Sequence, residues 1–148
     1  MRGKTTSDDK RKHLEFIQGV INRLSSNTFL FKGWSITIIV AVFTAMVTTQ
    51  NYNLLWLNLG AIIIFWFIDA YYLMLEQAYR KLYDKVAETD AEKIDYKMSV
   101  KQFIGFSAWL TAFKRPVLLM FYGTILIVVI CAIICSNFEI SLTIKTKG

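Results

Sequence analysis

Residues 54–75 read LLWLNLGAIIIFWFIDAYYLML, twenty-two residues with a single charge, Asp69. A helix of that length rises about 33 Å, enough to cross a hydrocarbon core of about 30 Å. Two other stretches share this character. Residues 33–49 carry no charge around SITIIVAVFTAMV, and residues 117–138 carry none around TILIVVICAII. The pattern predicts an all-α integral membrane protein with three transmembrane helices, near 30–49, 54–76 and 116–137. A chain of 148 residues, 55% hydrophobic and 19% charged, could not hide three such segments inside a globule. The same balance excludes a disordered or collagen-like chain.

The remaining sequence falls around these spans. Residues 1–28 form a cytoplasmic N-terminal amphipathic helix, 29–76 a two-span hairpin, and 77–115 a cytoplasmic helical region. Residues 116–137 are the third span and 138–148 the C-terminal tail. Within the middle region, 102–113 (QFIGFSAWLTAF) is free of charge but reaches only about 18 Å as a helix. It is too short to span, so it is expected to lie in the interface with Phe103, Phe106, Trp109, Leu110 and Phe113 toward lipid.

The basic residues set the orientation. Of seventeen Lys and Arg, seven precede the first span, none stands in the turn TTQNYN, eight lie between spans two and three, and two follow span three. By the positive-inside rule the N-terminus and middle region face the cytoplasm and the tail lies outside. The net charge of +6 is thus mostly a topology signal. It suits an anionic inner leaflet and is poor grounds for a nucleic-acid partner. The first 28 residues lack the apolar run of a cleavable secretory signal.

Outside the spans, residues 8–25 place Leu14, Ile17, Ile21 and Leu24 on one helical face, widened by Phe16 and Val20. This helix either anchors on the membrane surface or packs on other helices of the same fold. The second span is expected to run on through EQAYRKLYDKVAE, with Glu76 and Arg80 spaced for a helical ion pair. Thr89-Asp90-Ala91-Glu92 has the form of a capping box and predicts a new helix. In the tail, FEISLTIK (138–145) alternates with period two, so it is either a short C-terminal strand or a frayed helical end.

Asp69 is the sharpest candidate residue. A charge at the centre of a span costs about 2.5–3.5 kcal/mol on insertion, so this acid must be paired, hydrated or protonated. Folding the hairpin about residues 51–52 brings Lys32 to its depth, with Tyr72 nearby. If the helix continues, Asp69, Tyr72, Glu76, Tyr79 or Arg80, and Tyr83 form a polar-aromatic stripe that either locks the hairpin or faces a hydrated cavity or pore mouth. On the first span Thr37, Ala41, Thr44 and Thr48 recur at helical spacing. Such small and hydroxylated faces serve close helix packing or the mildly polar wall of an oligomeric pore.

Enzyme chemistry is not expected. The chain has no Walker loop, dinucleotide fingerprint, His-Glu-x-x-His or nucleophile elbow, and His13 is its only histidine. Cys131 and Cys135 stand four apart with no His or acid beside them, so no metal site and no cofactor are expected.

Two stretches resemble an uncharacterised family of small bacterial multi-span membrane proteins: FIQGVINRLSSNTFLFKGW and DAYYLMLEQAYRKLYDKV. The resemblance covers roughly residues 12–88 and rests on Asn27-Thr28-Phe29, Lys32-Gly33-Trp34 and Asp69-Ala70-Tyr71-Tyr72 with Arg80. The layout, a paired-span hairpin with a cytoplasmic helical extension, is similar to SLATT-type pore-forming effector domains. The third span and tail depart from that layout. The resemblance implies an oligomeric inner-membrane protein that forms or gates a pore in bacterial anti-phage defence. The alternative is a non-conducting scaffold that recruits a soluble partner to the inner leaflet. Expected partners are anionic lipids, further copies of the chain and a cytoplasmic protein.

Overall fold

The computed structural model describes residues 7–147, with side chains through Asn137. Its helices are α1, Ser7–Thr49; α2, Leu54–Glu88; α3, Phe106–Phe113; and α4, Pro116–Lys147. Single 3-10 turns at Ala91–Lys93 and Lys101–Phe103 punctuate the link from α2 to α3. α1, α2 and the stretch Pro116–Asn137 of α4 are each long and apolar enough to cross a membrane. The described residues thus form an all-α architecture with three helices that could span a membrane.

Local chemistry sets the helix ends. α1 stops where Gln50 adopts a φ of 52°, a left-handed conformation that closes helices and is uncommon for a non-glycine residue. The Gln50 side chain supports the turn by donating from Nε2 to the carbonyl of Val47 at 2.7 Å. The side-chain oxygen of Asn51 then accepts the backbone N–H of Asn53 at 3.2 Å, and α2 begins one residue later. α4 opens on Pro116, whose missing N–H would have had no partner in a first turn.

The structure departs from the sequence expectation in two places and decides between two alternatives in a third. α1 runs unbroken through Ser25-Ser26-Asn27-Thr28, so the amphipathic helix and the first span are one helix. Those residues cost only fractions of a kcal/mol each in a helix, roughly 0.5, and no proline interrupts the run. The capping-box helix is reduced to the 3-10 turn Ala91–Lys93, with no side-chain cap from Asp90. Thr89 instead turns its hydroxyl back to the carbonyl of Lys85 at 2.6 Å and closes α2; this is the local competition that short polar side chains offer. Finally, the tail forms no strand among the described residues, because α4 continues as helix through 138–145. A lone strand leaves its backbone without a pairing edge, whereas each residue added to an existing helix finds a partner four residues back.

The chain divides into two compact units, each with its own interior. Unit one takes the chain up to Leu30 together with Ala70–Ala112. Here Ile17 and Ile21 of α1 pack with Ala78, Leu82 and Val86 of α2 and with Val100 from the link. Spacing by four keeps these side chains on one face of each helix. Tyr79, Tyr83, Ile94 and Met98 pack around them. The N-terminal helix is therefore packed within its own fold, although Phe16 stays exposed. Full burial of an isoleucine contributes about 1.5–3 kcal/mol. Lys10 closes the end of α2, its Nζ donating to the carbonyls of Ala87 at 2.8 Å and Thr89 at 2.9 Å. A cation there meets both the unpaired carbonyls and the negative end of the helix dipole.

Unit two takes Phe31–Asp69 and Phe113–Gly148. Its buried side chains are Ser35, Ile39 and Met46 on α1, Leu55, Asn58, Ile62 and Asp69 on α2, and Leu118, Tyr122, Val129 and Ser136 on α4. Steps of four and seven recur on all three helices, the 3.5-residue period of helices packed at small left-handed crossings. The outward faces are as apolar as the inward ones, with Ile36, Ile38, Val40, Val47, Ile64 and Val128 exposed. A continuous apolar surface of this kind suits lipid as its solvent.

Candidate functional site

Unit two holds the most concentrated polar chemistry in its interior around Asp69. Lys32, on α1, extends its Nζ to Asp69 Oδ2 at 2.6 Å. Tyr122, on α4, donates its hydroxyl to the same oxygen at 3.2 Å. One carboxylate oxygen thus joins three helices. Asp69 is fully buried and the Lys32 side chain is 18% exposed. Asp69 Oδ1 is buried without a hydrogen-bond partner. Ser35, one turn beyond Lys32 and also fully buried, donates its hydroxyl to the Lys32 carbonyl at 2.8 Å.

Aromatic rings wall this cluster. Trp66 stacks on Phe113 with centroids 4.5 Å apart and planes 10° from parallel. Its other stacking neighbour is Tyr122, at 5.9 Å. The Trp66 indole N–H donates to the carbonyl of Phe113, the last residue of α3, at 3.2 Å. Phe121 lies under the Lys32 ammonium at 5.9 Å. Rings on several sides lower the local dielectric and strengthen the attraction between Lys32 and Asp69, while making either charge costly by itself.

The expected contact between Lys32 and Asp69 is present, and the hairpin register that placed it was sufficient. The hydroxyl beside Asp69 belongs to Tyr122, which the sequence reading passed over; Tyr72, the expected neighbour, stands edge-on to Tyr71 with centroids 6.0 Å apart. A signal for Tyr122 did exist. It lies about two turns into the third span, as Asp69 lies about two turns before the charged end of the second, so both sit at one depth. In unit one Glu76 and Arg80 pair as their spacing predicts, with Arg80 Nε and Nη2 at 3.0 and 2.8 Å from Glu76 Oε1.

Thr37, Ala41, Thr44 and Thr48 lie together on one face of α1, and all four are exposed. Their hydroxyls donate to their own helix: Thr37 to Gly33 at 3.0 Å, Thr44 to Val40 at 2.9 Å and Thr48 to Thr44 at 3.1 Å. The stripe therefore takes no part in packing unit two. A groove of about 330 Å³ beside Thr44 is lined by apolar side chains of α1 and α4, among them Phe43, Ile125 and Val128. Asn58, also missed from sequence, is fully buried with neither amide atom hydrogen-bonded. Cys131 and Cys135 are free and exposed. Among the described residues no group of three or more His, Cys, Asp or Glu side chains comes together to hold a metal.

No protein-family model, characterised protein or solved structure matches this chain. The functional reading therefore rests on the geometry above and on the sequence resemblance.

Proposed function

We propose that the chain is the subunit of an oligomer in a bacterial inner membrane and that the assembly forms or gates a pore. The observation that carries this reading is the exposed Thr37–Ala41–Thr44–Thr48 face of α1. Small residues let a second backbone approach closely in lipid, where helix association depends on packing rather than on expulsion of water. Hydroxyls along the same line offer permeating ions a mildly polar wall. Asp69 and Lys32 serve this assembly indirectly, by fixing the three helices of each subunit at their charged ends. The N-terminus and unit one face the cytoplasm, where unit one receives the trigger. An effector or accessory role in anti-phage defence follows the sequence resemblance and is proposed on that footing.

Conductance across planar bilayers tests the reading. The purified chain is expected to give stepwise currents, and Thr44→Leu to reduce the unitary step at least threefold. Silent bilayers, or steps unaltered by Thr44→Leu, would count against a pore.

A scaffold that recruits a soluble partner is the second reading, favoured by the separate interior of unit one around Ile17, Leu82 and Val100. It predicts that Lys81→Glu with Lys85→Glu changes the set of co-purified proteins while changes along the spans do not. An unaltered set would sink it.

A further inference from the structure

Unit one carries a cleft for which a pore has no direct use. Its volume is about 470 Å³, within the range of small-molecule sites. Lys85 at the end of α2, Lys93 on the first 3-10 turn, and Lys97 and Lys101 on the link all line it, with Asp95 the one acidic side chain among its walls. The lining charge is thus strongly positive. Lys93 is paired with Asp90 and Lys97 with Asp95, both at 2.9 Å. The hydrogen bond that Lys97 donates to Asp95 also holds its ammonium above the ordinary pKa. Lys85 and Lys101 have no ion-pair partner among the described residues.

Four ammonium groups around one hollow repel each other, and that repulsion opposes compact packing. A bound anion reverses its sign. The number of donors also says which kind of anion. A single carboxylate can neutralise only one lysine, whereas a phosphate group presents at least three strong acceptor oxygens and up to two charges to several point-like donors at once. Ser99 adds a hydroxyl to the wall, and Leu82 and Ile94 give it an apolar side.

We infer that this cleft binds a phosphate-bearing ligand, either a soluble phosphorylated small molecule or the headgroup of an anionic lipid. Lys85 and Lys101 supply charge that no carboxylate among the described residues neutralises, and Lys93 and Lys97 exchange or share their partners when the ligand enters. The binding stands on the chemistry of unit one alone. Its role as the trigger rests on the pore reading, so a chain that binds without conducting would remove the trigger role and leave the site.

The experiment is calorimetric titration of the full chain in nanodiscs with inorganic tripolyphosphate, in two lipid backgrounds. In phosphatidylcholine discs, saturable binding at one site per chain is expected. Lys85→Gln with Lys101→Gln should weaken it at least tenfold, and Lys85→Arg with Lys101→Arg should restore it to within about threefold. Lys12→Gln with Arg23→Gln removes the same charge outside the cleft and should change affinity less than twofold. In discs containing phosphatidylglycerol, a tenfold loss of tripolyphosphate affinity identifies a headgroup as occupant, and unchanged affinity identifies a soluble ligand. Absence of saturable binding, or equal weakening by the two glutamine pairs, would overturn the inference.

Discussion

The two units are built from parts of the same two long helices, yet they select their interiors by different rules. In unit one the buried residues are mostly apolar, Ile17, Ile21, Leu82 and Val86 among them, with His13 and Glu76 the buried polar side chains among the described residues; Lys12 and Arg23 stay exposed, and water decides which face turns inward. In unit two nearly every side chain is apolar, so hydrophobicity cannot choose a face. There the choice falls to packing and to the polar residues: Ser35, Asn58, Asp69 and Tyr122 all turn inward, while Ile38 and Val40 remain outside. One sequence thus contains two folding codes, joined along α1 and α2.

The largest test of that contrast is the buried ion pair. Lys32→Met leaves the Asp69 carboxylate buried with only the Tyr122 hydroxyl and is expected to cost about 3–5 kcal/mol. Adding Asp69→Leu should recover most of the loss. Reversible unfolding of the full chain in mild detergent would read the cycle; a double variant as unstable as the sum of the singles would show that the pair does not act as a unit.

Next in size is a matched pair of isoleucines. Ile17→Ala in unit one should cost about 3 kcal/mol, as a cavity in a water-driven core does. Ile38→Ala on the outer face of unit two should cost less than about 0.5 kcal/mol, as surface changes do. Similar losses at both positions in the same assay would erase the distinction between the two codes.

Smaller effects refine it. Tyr122→Phe removes one hydrogen bond to a charged acceptor and should cost about 1.5 kcal/mol. The same unfolding assay reads it, and a loss below about 0.3 kcal/mol would show that the 3.2 Å contact contributes little. Lys10→Met uncovers the last carbonyls of α2 and should cost about 0.5–1 kcal/mol. Faster amide exchange near 85–89 is expected with it, and unchanged protection there would remove the capping role.

The same contrast explains what could be read from sequence. The three long apolar helices were legible because uncharged segments of that length suit lipid, and the starts at Leu54 and Pro116 fall where the turn and the proline put them. The Lys32–Asp69 contact was legible because a hairpin fixes the relative depth of its two arms. Tyr122 was not, since it comes from a third helix whose rotation no apolar pattern reveals. Residues 138–145 alternate like a strand, but the alternation had no partner edge to act on, and the preceding helix extended instead. Thr89-Asp90-Ala91-Glu92 matched a helix start, but Thr89 was already engaged with the helix behind it. The basic cleft was invisible because Lys85, Lys93, Lys97 and Lys101 looked like evenly scattered topology signals until the 3-10 turns gathered them.

The proposed assembly requires that the exposed threonine face of α1 meet another copy of the chain. Site-directed disulfide formation in native-like membranes tests it, in a background with Cys131→Ser and Cys135→Ser. Thr44→Cys, on the exposed face, is expected to give cross-linked dimers under mild oxidation, while Ile39→Cys, buried within its own unit, is expected to give none. A Thr44→Cys chain that stays monomeric, or cross-links no more than Ile39→Cys, would contradict the assembly.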